Sequence, residues 1–302
     1  MVEEFKGDVM TKNALYFACL VSIVFSHGAR GQEDEGAESQ PAESLFRWRY
    51  DGVWNSPSTE RDRIVTDRPH LAEATSTVGL GTIQLETGYS FSSDNAAGGR
   101  TQSHSFPEPL LRVGAFAEWF ELRLGWNYLV DETNPRVGPT TTLRGSDDLY
   151  LGAKVALFKQ YGWLPDFTVF PQARLPIGTS GITAEEIRPG VNLAYSWAVT
   201  KIVEIECNTV LNRERDDSGD FYLEVFQTVN LEYDVSEKVM LFTEYVAFAP
   251  SGSRTAQFQN YFHYGAHYFF TPNFQFDIHS AVGLNSAADN LAFTGMGLSY
   301  RF

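Results

Sequence analysis

The sequence lacks most of what soluble enzymes and helical membrane proteins are built from. After residue 30 no apolar run approaches the ~20 residues a helix needs to cross a bilayer. Cysteine occurs only at Cys19 and Cys207. Positive charge is scarce: Lys and Arg number 23 against 38 Asp and Glu, a formal net charge of -15. No G-x-S-x-G elbow is present, and Gly79-Leu80-Gly81 is too short for a nucleotide loop.

Each absence excludes something. Without spanning helices, a chain that enters a membrane has one other option, a closed β-barrel, because lipid satisfies no backbone hydrogen bond. The acidic balance, with no basic stripe, argues against nucleic acid as a partner. Cys207 lacks the His/Asp pattern of a nucleophile, and packing is its expected role. Neither a catalytic residue nor a cofactor is read from the chain.

Aromatic residues are plentiful, at 14%, with Phe 23 and Tyr 14. A membrane barrel needs them for its lipid face and its interfacial girdles.

The first 30 residues read as a secretory leader. Ala14 to Phe25 is apolar, Lys12 precedes it, and small residues around 29–31 offer a cleavage site. Glu3, Glu4 and Asp8 put negative charge where a leader wants positive, so translation is expected to start at Met10. Cys19 lies inside the apolar run rather than after it, which disfavours a lipoprotein signal. Residues 31–70 read as a periplasmic lead-in or lumen segment, and 71–302 as the barrel.

From Thr82 onward apolar and polar residues alternate with period 2, the mark of a strand. Phe120 to Val130 is the clearest case. Phe120, Leu122, Leu124, Trp126, Tyr128 and Val130 share one face, and Glu121, Arg123, Gly125 and Asn127 take the other. Similar runs predict about twelve strands, although Pro107, Pro109 and Pro171 lack the ladder donor and weaken two of them. The gaps alternate in length: 93–102 and 131–146 are long, while 198–200, 234–237 and 271–272 are tight. Long outer loops and short periplasmic turns do this in outer-membrane barrels, and an even strand count returns both ends to the periplasm. The expected fold is therefore all-β, a transmembrane antiparallel up-and-down barrel of a Gram-negative outer membrane, with lipid as its surroundings.

Parity places Glu86, Arg112, Glu121, Arg123, Lys154, Arg174, Arg188, Glu204, Glu206, Glu224, Glu232, Glu244 and Arg301 in the lumen. Such groups either brace a narrow lumen as ion pairs or set selectivity. His263 and His267 do not form a shared metal site on a strand, where four residues span about 13 Å. His279 beside Asp277 suggests a hydrolase, but no triad can be assigned without geometry.

Thr66-Asp67-Arg68-Pro69, followed by Glu73, Thr77-Val78, Gly81 and Gln84-Leu85-Glu86-Thr87-Gly88, resembles a family of outer-membrane transporters named after the meta pathway of phenol degradation. The resemblance covers about residues 64–302. It implies a twelve-strand type of barrel that takes up small, often hydrophobic or aromatic solutes and carries no catalytic residues. His70 stands where the family commonly has an acidic residue, and Ala74 where it commonly has Ser. The terminal Tyr300-Arg301-Phe302 resembles the signal read by barrel assembly machinery. Pro69 restricts Arg68 to extended geometry, and Thr66 to Pro69 is expected to plug the periplasmic mouth of the lumen. The leading functional expectation is a channel or transporter for small molecules. An outer-membrane hydrolase and a soluble β-protein binding a hydrophobic ligand are the alternatives.

Overall fold

The computed structural model describes residues 63–302 apart from 97, 217, 289 and 290. The leader, the Met10 start and the lead-in up to residue 62 lie outside the described residues. The strands are β1 (Ile83–Ala96), β2 (Gly99–Phe106), β3 (Leu110–Gly114), β4 (Phe120–Gly125), β5 (Tyr128–Pro135), β6 (Thr141–Ser146), β7 (Leu149–Phe158) and β8 (Asp166–Leu175). They continue with β9 (Arg188–Ala198), β10 (Val203–Arg215), β11 (Phe221–Ser236), β12 (Val239–Ser251), β13 (Gln259–Thr271), β14 (Phe274–Gly283) and β15 (Leu291–Arg301).

All pairings between these strands are antiparallel, and β15 closes on β1 from Gln84↔Arg301 to Asp94↔Leu291. Three wall positions are each made of two strands. β1 pairs with β2 in its outer half and with β3 in its inner half. In the same way β5 continues β4, and β6 leads into β7. Counted as wall crossings, the strands make a twelve-strand closed barrel.

The burial pattern is inside out. Along β13, Tyr261, His263 and His267 are buried while Phe262, Tyr264 and Tyr268 are exposed. Along β4, Glu121 and Arg123 are buried while Leu122 and Leu124 are exposed. A soluble sandwich buries its apolar face. A wall that turns Leu, Phe and Tyr outward and carboxylates inward is made for lipid. This overturns the soluble alternative.

Several expectations need correction. The clearest alternation, Phe120 to Val130, is not one strand: it breaks at Trp126-Asn127 between β4 and β5. Alternation records which way side chains point, and a local break that preserves parity leaves no trace in it. The gaps 93–102 and 131–146 are largely strand, with a turn at Gly98 and a tip at 136–140. The wall begins at Ile83, so residues 71–82, assigned above to the barrel, precede it. Pro171 sits within β8, whereas Pro107 and Pro109 do mark a break, between β2 and β3.

Candidate functional site

Residues 63–82 enter beside the short turns and run inside the barrel. Ile64 N donates to Pro272 O at 2.6 Å, Arg63 pairs with Asp234, and Thr77 donates to the Glu118 carbonyl. Between these anchors the segment is buried: Thr66, Asp67, His70, Ala72, Ala74 and Thr75 are each at most 7% exposed.

A segment without a ladder must satisfy its backbone elsewhere, and here wall side chains do it. The amides of Leu71 and Ala72 donate to the Glu244 carboxylate at 3.0 and 2.6 Å. Glu73 N donates to Asn208 Oδ1 at 2.9 Å. Lys154 Nζ donates to the Ala74 and Ser76 carbonyls at 2.8 and 3.0 Å, and Thr168 Oγ1 to the Thr75 carbonyl at 2.6 Å. The wall yields space where the segment comes closest. A Cβ on Gly114 would lie 1.6 Å from the Gly79 carbonyl oxygen, and one on Gly88 would lie 2.2 Å from the Arg68 guanidinium.

Charge is divided across the lumen. On one side Arg112, Arg123 and Lys154 converge on the Asp67 carboxylate at 3.2, 2.9 and 3.2 Å. Arg112 also meets Glu86 at 3.0 Å and Glu121 at 2.8 Å, and Arg123 meets Glu73 at 2.8 Å. Burial works to raise the Asp67 carboxyl, but Arg112, Lys154 and Arg123 overcome it and hold the group well below the usual carboxylate range. On the other side His70 faces Glu232 at 3.0 Å and Glu206 at 3.8 Å, with Glu244 beside it on β12. Arg68 takes a third direction, pairing with Glu108 at 2.7 Å and lying 3.9 Å from Asp277.

Of the lumen residues read from parity, Glu86, Arg112, Glu121, Arg123 and Lys154 gather around Asp67. Glu206, Glu232 and Glu244 gather around the stretch from His70 to Ala72. Arg174 and Arg188 stand farther out, with Asp147 at 3.2 Å and with Glu214 at 2.6 Å and Asp148 at 3.4 Å. Glu224 is near Tyr222 Oη at 3.4 Å, Glu204 lies opposite Glu232 in the ladder, and Arg301 reaches Asn273 at 2.9 Å. Glu73, His70 and Asn208 were absent from that set. Glu73 and His70 lie outside any strand period, and Asn208 carries no charge to flag it.

His263 and His267 have different neighbours. His263 stands between Glu244 at 2.8 Å and His279 at 2.9 Å, whereas His267 lies beside His70. Ser280, adjacent to His279 in the chain, points to the other face of β14 and donates its Oγ to the Phe293 carbonyl at 3.3 Å.

Two cavities adjoin the segment. One, of about 250 Å³, is bordered by Leu71, Val210 and Phe226 on its apolar part and by Gln172, Asn192 and Asn212 on its polar part. The second, of about 300 Å³, runs from Glu73, Arg123 and Tyr150 to Pro109, Trp126, Asn127 and Asp148. Those last residues sit at the breaks between β2 and β3, β4 and β5, and β6 and β7, three neighbouring wall positions interrupted at one level. Among the described residues β6 pairs only with β5. The segment 176–187 covers its far side, with Thr179 N donating to the Ser146 carbonyl at 2.9 Å and Gly178 and Ala184 donating to Asp148 at 3.3 and 3.1 Å.

The barrel is similar to solved outer-membrane proteins. The COG4313 outer membrane channel from Pseudomonas putida F1 aligns with a TM-score of 0.55 at 15% identity, over 76% of this chain and 98% of that one. The NanC porin aligns with a TM-score of 0.43 at 15% identity, over 72% and 98%. No curated protein matches the chain. Residues 66–302, from the Thr66-Asp67-Arg68-Pro69 segment to the closing strand, match the model described as "Putative MetA-pathway of phenol degradation", and the chain belongs to that family.

Proposed function

We propose that this protein is an outer-membrane conduit for small apolar or aromatic solutes, with the lumen segment blocking straight passage and the wall breaks providing a sideways route. The observation that carries this reading is the second cavity, which connects the lumen at Glu73 and Tyr150 with the interrupted wall at Pro109 and Trp126. A hydrophilic pore needs a wetted axis. Here the axis holds a segment tied down by buried ion pairs, which cost several kcal/mol to break when one partner is removed. Leu71 of the segment packs against an apolar cluster of Val246, Tyr261 and Phe293. Glu108 in the first break has φ 49, a region that non-glycine residues seldom adopt, and is held by Arg68. Membership of a family named for phenol degradation agrees with the solute class.

The test is uptake into proteoliposomes. Gly125→Phe places a ring in the second cavity. Uptake of an apolar aromatic should fall severalfold while ionic conductance in a planar bilayer stays as in the parent. Equal aromatic uptake by the two proteins, or rapid passage of neutral sugars through the parent, would overturn the reading.

A further inference from the structure

We propose that His70, Glu232 and His267 form a binding site for a soft divalent cation such as Zn²⁺, tying the lumen segment to the barrel wall. His70 belongs to the lumen segment, Glu232 to β11 and His267 to β13. One donor atom from each lies within 4.8 Å of the others, and all three residues are buried. Two imidazole nitrogens and a carboxylate oxygen are a donor set that zinc accepts in its tetrahedral sites. The Glu206 carboxylate, 3.8 Å from His70 Nε2, is within reach as a fourth ligand.

Two details single out this trio. His70 Nδ1 faces the Ala72 carbonyl, which accepts only, so that nitrogen carries the hydrogen. The other nitrogen, Nε2, then faces Glu232 Oε1, 3.0 Å away. Two electron pairs at that distance repel unless a proton or a metal lies between them. The second detail is His267. It is 2% exposed, and neither ring nitrogen has a hydrogen-bond partner. The amide of Gln275, which lies beside it, donates to Thr66 Oγ1 at 2.7 Å. Buried polar atoms are nearly always satisfied, and a shared metal satisfies His267 and relieves His70 at once. The surroundings suit a held ligand set: the Ala72 carbonyl fixes the tautomer of His70, and Phe242 lies edge-on to both rings at 5.4 and 5.8 Å. The charges facing the site are Glu206, Glu244 and Arg63, and Arg63 is paired with Asp234.

The experiment is calorimetric titration with ZnCl₂ of the full chain, carrying no histidine tag, extracted in detergent and stripped with EDTA. One equivalent should bind, with a proton released when the titration is repeated in buffers of different ionisation heat, because His70 must give up its hydrogen at Nε2. His70→Asp and His267→Gln should each weaken binding at least ~10-fold, the cost of disturbing even an outer contact of a metal site. His104→Gln should bind as the parent does. Heat-modifiable migration on a gel establishes that each variant is folded. No zinc uptake by the stripped parent, or parent-like binding by folded His70→Asp and His267→Gln, would overturn the proposal.

Discussion

Asp67 and His70, on either side of Arg68-Pro69, face opposite walls of the lumen. Asp67 lies 2.9 Å from Arg123 and 3.2 Å from Lys154, while His70 Nε2 lies 3.0 Å from Glu232. One short stretch of chain therefore bridges a basic wall on β3, β4 and β7 and an acidic wall on β10, β11 and β12. Within the strands Glu86 and Glu121 answer Arg112, and the segment adds Asp67 and Glu73 on the basic side and sets His70 against the acidic side.

Removing the negative half of that bridge should release the segment. Asp67→Asn leaves Arg112, Arg123 and Lys154 short of a buried partner, a cost of about 3–5 kcal/mol for breaking a buried pair. Planar-bilayer recordings should show larger or more frequent conductance steps, and the urea midpoint of the refolded barrel should fall. Parent-like conductance and stability would contradict a bracing role for Asp67.

The same group predicts a flat pH response. Burial opposes ionisation of Asp67, but the neighbouring cations depress its folded-state pKa below the unfolded value. Such a carboxylate contributes stability above its unfolded pKa of about 3.9 and loses it as pH falls through the lower folded value. Titrating Asp67 should therefore leave docking unchanged between about pH 8 and 5, with release only under strong acid. Conductance measured across that range checks this, and an opening near neutrality would have to come from another group.

Gly114 is the point of least tolerance in the wall. A methyl there would lie 1.6 Å from the backbone oxygen of Gly79, which cannot rotate away as a side chain would. Gly114→Ala should cost roughly 1–3 kcal/mol, as overpacking does. The lowered melting of the heat-modifiable form would be the readout. Gly98→Ala is the control, because a Cβ there meets nothing within 4 Å.

The terminal residue separates folding from delivery. Phe302 N donates to the Ile83 carbonyl at 2.9 Å, but its side chain is 72% exposed and touches Tyr300 edge-on. Phe302→Ala should refold in detergent like the parent, since the backbone bond survives and little burial is lost. Its amount in the outer membrane of cells should drop if assembly machinery reads the ring. Equal amounts of both proteins there would remove that partner.

The wall was legible because its physics is local. Period-2 sorting of Leu122 and Leu124 against Glu121 and Arg123 needs only the pleat, and so does the strand count. The site was less legible. Thr66-Asp67-Arg68-Pro69 stood out as a motif and was expected near the lumen mouth. Its contacts with Arg112, Arg123 and Lys154 could not be read, because those residues are brought to one point only by the order of strands around the barrel. The breaks at 126–127 and 147–148 were hidden for a different reason. Neither carries a proline, and both keep the alternation of side chains on each flank.

The sequence by itself thus determined an inside-out antiparallel wall, since a strand in lipid must turn apolar residues outward and polar ones inward. Only the tertiary structure decided what fills the barrel and which charges meet. Those contacts join residues far apart in the chain, such as His70 with Glu232 and His267, and nothing in local periodicity encodes closure across a lumen.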